Sequence, residues 1–137
     1  MQIFDQYADL LDWIQGKGLA PTVLGCAPDG APVVAFKGGG EKAPAIFISA
    51  GSHSTEQAGV TAGATLLSEL ETDHQVYLIP SRDPMGMNGY GYVLGLSMGE
   101  LQDVGSVEQV REILKAEGDI LYEEGDTLLA IIGEYGY

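Results

Sequence analysis

A histidine and a glutamate lie three residues apart in the stretch 45–59, which reads AIFISAGSHSTEQAG. The apolar run 45–50 predicts a strand, and His53 and Glu56 follow its end, where a helix is expected to begin. Ligands bind at the carboxyl ends of strands in open α/β sheets. Histidine and glutamate are both zinc ligands, and a catalytic zinc takes three protein ligands plus one open position. The pair is therefore interpreted as two thirds of a catalytic zinc site.

A purely structural role for the same two residues stays open at this point. Glutamate is favoured in the first turn of a helix by the helix dipole, and His53 can be a simple loop residue. Ser54 is a predicted N-cap, because Gln57 follows it at the spacing of a capping box.

The only other histidine, His74, is not expected to complete the site. The intervening helix of about 16 residues spans about 24 Å, which places His74 at the far end of the next strand. It is interpreted as an exposed loop residue.

Arg82 is a candidate for the site, unlike His74, because it follows the end of that strand on the same side as His53. It can bind a carboxylate through its guanidinium fork, or pair with Asp83 or another surface acid. Asp83 is expected to serve its own loop, because Asp before Pro favours a turn.

The elements that position these residues predict an α/β fold. The pattern contains an N-terminal β-hairpin and a strand–helix–strand crossover in a mixed sheet with helices on both faces. Helices are predicted at 5–14, 55–70 and 107–116, and strands at 22–26, 32–36, 45–50, 75–79 and 128–132. Strand 45–50 is expected to be central and covered on both sides. Glycines 38–40 are interpreted as a connecting loop, 81–95 as a packed or ligand-facing loop, and the acidic residues around Glu123 as a solvated face.

Composition excludes several classes of function. The 137 residues suit one domain, 1–137, and a net charge of −14 disfavours nucleic acids and anionic membrane surfaces. The N-terminus lacks the features of a signal peptide, and the single Cys26 cannot form an internal disulfide. A cytoplasmic location is therefore expected.

Taken together, residues 22–92 resemble the zinc carboxypeptidases, the carboxypeptidase A/B-like metallopeptidases. Those enzymes have a strand, a small-residue turn, His-x-x-Glu opening a helix, and a second strand leading into a Pro-x-x-Asn-Pro-Asp-Gly-like loop. This chain has ISAGSHSTEQAG and then VYLIPSRDPMGMNGY, where Pro80, Pro84 and Gly86 match that loop. Asp83 stands where the family has Asn, and Met85 replaces its Asp. The preceding stretch VLGCAPDGAPVVAFKG resembles the family's opening hairpin.

The resemblance implies that the chain is the N-terminal part of a zinc-dependent hydrolase of amide bonds, with Zn²⁺ as cofactor and His53 and Glu56 as its first two ligands. The family's second histidine, its general-base glutamate and its substrate-binding arginines have no clear counterpart here. The chain alone is therefore predicted to be inactive. If the isolated chain releases C-terminal amino acids from peptides and a chelator stops it, this prediction is wrong.

Two alternatives are kept. The deacylases related to aspartoacylase and succinylglutamate desuccinylase also resemble this pattern, and Arg82 would suit their small anionic N-acyl amino acids. A non-catalytic module that retains the fold is the other. A truncated sheet would expose an edge at which a second copy could pair, so the sequence also allows a homo-oligomer.

Overall fold

The computed structural model describes residues 2–53 and 55–137, and these divide into two compact units. The first unit ends at Asn88 and the second comprises Gly89–Tyr137. None of the helices among the described residues is both long and apolar enough to cross a membrane.

The first unit contains a four-stranded mixed sheet and two helices. Its elements are α1 (Tyr7–Gln15), β1 (Pro21–Cys26), β2 (Pro32–Gly39), β3 (Lys42–Ser49), α2 (Gln57–Glu69) and β4 (His74–Ile79), followed by a 3₁₀ turn at Gly86–Asn88. The sheet order is β1-β2-β4-β3. The pairs β1–β2 and β2–β4 are antiparallel, whereas β3 and β4 are parallel and are joined through α2. The predicted hairpin and strand–helix–strand crossover in a mixed α/β sheet are therefore confirmed.

A single hydrophobic core joins both helices to one face of this sheet. Phe36 of β2 and Leu78 of β4 are paired neighbours and are both fully buried. Trp13 is partly buried at the edge of the core, and its ring meets that of Phe4 edge-on at 5.8 Å. The buried members are Phe4, Tyr7, Leu10, Ile14, Val34, Phe36, Val60, Ala64, Leu67, Leu78 and Met87.

Strand β3 lies at the edge of the sheet, so its predicted central and buried position is wrong. Ile46 is 42% exposed and Phe47 is 64% exposed. An unbroken apolar run is typical of a strand covered on both faces. The order β1-β2-β4-β3 leaves β3 with β4 as its only strand neighbour among the described residues. The prediction of a connecting loop at 38–40 is also wrong in part, because Gly38 and Gly39 belong to β2 and pair with β4.

The second unit packs two helices on a three-stranded antiparallel sheet. Its elements are α3 (Tyr90–Met98), α4 (Val107–Glu117), β5 (Asp119–Glu124), β6 (Thr127–Ile132) and β7 (Tyr135–Gly136), with the sheet order β5-β6-β7. Its core contains Leu94, Val110, Leu114, Ala130 and Ile132.

One prediction for this unit needs correction. The sequence predicts a loop through residue 95, whereas α3 begins at Tyr90. Its glycines serve close packing, because a Cβ atom at Gly91 would lie 2.2 Å from the carbonyl oxygen of Gln102. The predicted solvated face around Glu123 is confirmed, because Glu123 and Glu124 are both exposed at the end of strand β5.

Candidate metal centre

The turn after β3 and the loop after β4 are held together by main-chain hydrogen bonds. Ala50 N donates to Ile79 O at 2.9 Å, and Arg82 N donates to Gly51 O at 3.1 Å. Since β3 and β4 are parallel, their carboxyl ends meet at one edge of the sheet. The turn that leads to His53 and the loop that carries Arg82 therefore lie side by side, as the sequence predicts.

Gly51 makes this close approach sterically feasible, and sequence reasoning did not single it out. Its φ of +56° lies in the left-handed region that favours glycine. A Cβ atom at this position would lie 2.8 Å from Ser81 Cα and 3.0 Å from Pro80 O. The available signal was its position: a glycine directly after a predicted strand and just before the candidate ligands.

His53 and Glu56 come together at the start of α2. His53 Nδ1 lies 3.4 Å from Glu56 Oε1, and the two side chains are 73% and 74% exposed. Glu56 N donates to His53 O at 3.0 Å, which closes the turn between them. Both side chains are thus directed to one accessible point, where a ligand can reach them.

The start of α2 differs in detail from the prediction. The helix begins at Gln57 with Glu56 as its N-cap residue, and the Glu56 side chain makes no capping hydrogen bond. The predicted N-cap, Ser54, lies outside the described residues. Gln57 Nε2 donates to Phe4 O at 3.0 Å, so this side chain attaches the helix to the N-terminal segment. The Glu56 carboxylate is therefore not committed to capping.

The separation of the two candidate ligand atoms fits a zinc ion. Zinc binds histidine nitrogen and carboxylate oxygen at about 2.0–2.2 Å in tetrahedral geometry, which places two ligand atoms about 3.4 Å apart. The observed distance from Nδ1 to Oε1 is also 3.4 Å. The same distance equally suits a weak histidine–glutamate contact.

No third metal ligand joins this pair among the described residues. Residues 2–53 and 55–137 contain no group of three or more His, Cys, Asp or Glu side chains placed to hold one metal ion. His74 lies at the opposite end of β4, paired with Lys42, and its Nδ1 is 3.0 Å from Pro44 O. Its predicted distance from the site is confirmed. Its predicted character as an exposed loop residue is wrong, because it is half-buried and begins a strand.

Arg82 has an exposed side chain at the same edge of the sheet. In the part of the chain that the structure describes, the ion pairs formed by Lys37, His53, Arg111 and Lys115 do not include it. Asp83 accepts a hydrogen bond from Gly86 N at 2.9 Å, so its predicted role within its own loop is confirmed. The edge therefore carries an accessible guanidinium group beside the turn that leads to His53.

Comparison with known proteins gives a likeness of fold. Neither a protein-family model nor a curated protein sequence matches this chain. A structure of thrombin-activatable fibrinolysis inhibitor is similar at a TM-score of 0.51 and 14% identity, over 66% of this chain and 28% of that one. Bovine thrombin-activatable fibrinolysis inhibitor, solved with a tick carboxypeptidase inhibitor, gives a TM-score of 0.49 and 16% identity over 64% and 33% of the two chains. A provisionally assigned metallopeptidase from Shewanella amazonensis gives a TM-score of 0.47 and 28% identity, over 60% of this chain and 33% of that one.

These likenesses concern only part of each protein. The chain spans about a third of the length of the solved structures it matches. The likeness at a TM-score of 0.51 confirms a partial zinc-carboxypeptidase-like fold, and at 14% identity it shows the fold alone. The chemistry of the site is a separate question.

Proposed function

We propose that this chain is the N-terminal part of the catalytic domain of a zinc-dependent, carboxypeptidase-like hydrolase of amide bonds. The observation that carries the proposal is the His53–Glu56 pair. Its two ligand atoms are 3.4 Å apart, exposed, and placed just past the end of a parallel strand in this fold. Because fold alone does not determine function, the proposal depends on the geometry of these two side chains.

In this proposal His53 and Glu56 are the first two ligands of Zn²⁺. When bound, zinc supplies Lewis acidity toward a carbonyl oxygen and toward water. The hydrogen bond from Arg82 N to Gly51 O holds the turn against the loop after β4. This contact positions the main chain that leads to His53 and Glu56. The third ligand and the general base would come from outside the described residues, and for this reason the chain alone is expected to lack peptidase activity.

Arg82 is proposed to contact the substrate. A guanidinium group can donate two parallel hydrogen bonds to a carboxylate. The main chain of Arg82 is hydrogen-bonded directly to the turn that leads to His53. This arrangement suits a peptide with a free carboxylate. It suits equally a small N-acyl amino acid, and the exposed Arg82 therefore supports a deacylase of such compounds as the second candidate function. If the chain fails the zinc-binding test described below, the remaining candidate is a non-catalytic module that retains the fold.

The metal site can be tested directly on the purified chain. Zn²⁺ added in steps should shift the imidazole signals of His53 in a nitrogen–proton NMR spectrum, because two protein ligands bind zinc weakly but measurably. His53→Ala and Glu56→Gln should each remove this effect. His74→Ala is the matched control, since that histidine lies at the far end of β4 and should leave the titration of His53 unchanged.

Three results would count against the proposal. Zinc could leave His53 unaffected, shift His74 to the same extent, or act undiminished in the Glu56→Gln variant. Any of these would favour the non-catalytic module. If zinc does act through His53 and Glu56, the two candidate substrate classes can be separated next. N-acyl amino acids and peptides are compared as ligands of the wild type and of Arg82→Gln.

A further inference from the structure

The sheet of the second unit has one face that its helices do not cover. Ala130 and Ile132 of β6 are buried in the core with α3 and α4. Side chains alternate along a strand, so Leu129 and Ile131 point to the opposite side. In the β5–β6 pairing, Tyr122 lies opposite Leu129, and these two residues are 47% and 46% exposed. We call this side, with Asp119, Tyr122, Glu124, Leu129 and Ile131, the open face.

Strand β5 also presents a free edge. The order β5-β6-β7 gives β5 a single strand neighbour within this unit, and all six of its residues are exposed. Such an edge offers main-chain N–H and C=O groups that another strand can pair with. The exposed Tyr122 and Leu129 on the open face and the unpaired edge thus meet along one strand.

The charges along this strand are negative at both ends. Asp119 begins β5 and Glu124 ends it, and both are placed on the open face by their pairing with Ile131 and Thr127. Residues 89–137 carry ten acidic side chains and two basic ones. Both basic residues, Arg111 and Lys115, contact Glu123 on the helix side of the sheet. The unit therefore provides no cation for its open face.

These charges argue against a second copy of the chain as the occupant. Two β5 strands paired antiparallel would place Asp119 of one copy near Glu124 of the other, and a parallel pair would align identical carboxylates. Like charges directly opposite each other destabilise a strand pair, whereas opposite charges stabilise it. The partner strand should accordingly carry cations at both ends and an apolar side chain between them.

We propose that β5 is a docking strand for an extended, basic polypeptide segment of another protein. The segment adds to the free edge as a fourth strand. Its lysine or arginine side chains lie opposite Asp119 and Glu124, and an apolar side chain lies beside Tyr122 and Leu129 on the open face. The inference concerns the second unit alone and does not depend on the metal-site proposal.

The test uses the full chain and two labelled heptapeptides, measured by fluorescence anisotropy. The probe is Thr-Lys-Thr-Val-Thr-Lys-Thr, which as a strand puts both lysines and the valine on one face, and its control replaces both lysines with glutamate. The lysine peptide should bind at least about tenfold more tightly than the glutamate peptide, since two cross-strand attractions become two repulsions. The double variant Asp119→Asn, Glu124→Gln keeps the side-chain shapes and should lose most of that difference.

A matched double variant and a modified peptide make the result specific. Glu112→Gln with Glu117→Gln removes the same charge from exposed positions on α4 and should bind the lysine peptide like the wild type. Methylation of the peptide's main-chain nitrogens should abolish binding if the segment adds as a strand.

Equal binding of both peptides, or full binding by the Asp119→Asn, Glu124→Gln variant, overturns the proposal. So does undiminished binding of the methylated peptide. Sedimentation analysis covers the remaining outcome, because a chain that is dimeric and does not bind the lysine peptide would also overturn the proposal.

Discussion

Replacement of Gly51 by alanine should destabilise the first unit by about 2–5 kcal/mol, from two separate costs. The φ of +56° lies in the left-handed region, which costs a residue with a Cβ atom about 1–2 kcal/mol. The added methyl group would also lie 2.8 Å from Ser81 Cα, 3.0 Å from Pro80 O and 3.0 Å from Val60 Cγ2. Two of these atoms belong to the main chain and cannot turn aside, so overpacking should add about 1–3 kcal/mol.

Two other glycines separate these costs. Gly18 has a φ of +84° and nothing within 4 Å of a Cβ atom, so Gly18→Ala should show the conformational cost alone, about 1–2 kcal/mol. Gly63 lies within α2, where a Cβ atom would be 2.8 Å from Ala50 Cβ. Gly63→Ala should show the steric cost, reduced by the better helix propensity of alanine, about 1 kcal/mol.

Urea unfolding followed by Trp13 fluorescence measures these changes. Trp13 is the only tryptophan and packs against the core of the first unit, so its signal reports on that unit. Compared at a common slope, the midpoints give the change in unfolding free energy. A Gly51→Ala variant no less stable than Gly18→Ala would refute the steric part of the reasoning.

Two further predictions concern single side chains. Burial raises the pKa of Tyr7 to about 12, from 10.0, so absorbance at alkaline pH should show a late-titrating phenol that Tyr7→Phe removes. Its folded pKa is the higher one, and the stability it contributes is complete below pH 10.0 and is lost as the pH rises toward about 12. Unchanged titration in Tyr7→Phe would contradict this. The Ser106 hydroxyl accepts a hydrogen bond from Gln109 N at the start of α4. Ser106→Ala should therefore weaken amide protection in the first turn of α4 by about 1 kcal/mol, whereas Ser106→Asp should retain it. Equal exchange in both variants would be evidence against the cap.

Local pattern predicted the elements that position the candidate site. The apolar run before Gly51 and the later run that ends at Ile79 were identified as strands joined by a helix, and they are parallel neighbours. The closeness of His53 and Glu56 was also predictable, because residues three apart around a helix start share one side. Arg82 could be placed at the same edge for the same topological reason.

Features that depend on distant parts of the chain were not predictable. Whether β3 is central or at an edge depends on which strands lie beside it, and its own apolar sequence carries no such information. Helix α3 was missed because Gly91 and Gly95 suggest a loop. Their lack of side chains instead admits the main chain of residues 100–102. The proposed metal site is of the same kind, since the third ligand that it would need belongs to a separate segment and cannot be predicted from one motif.

The uncharged outer edge of β3 should make the behaviour of the protein in solution depend on ionic strength. Between residues 43 and 49 the strand carries no charged side chain, while the whole chain carries −14. Repulsion between such molecules keeps their edges apart in dilute buffer, but it is screened over about 10 Å at about 0.1 M salt. It also vanishes as the pH approaches the isoelectric point of about 4.1. Light scattering should accordingly rise under both conditions, and Phe47→Lys, which places a charge on that edge, should suppress the rise at neutral pH.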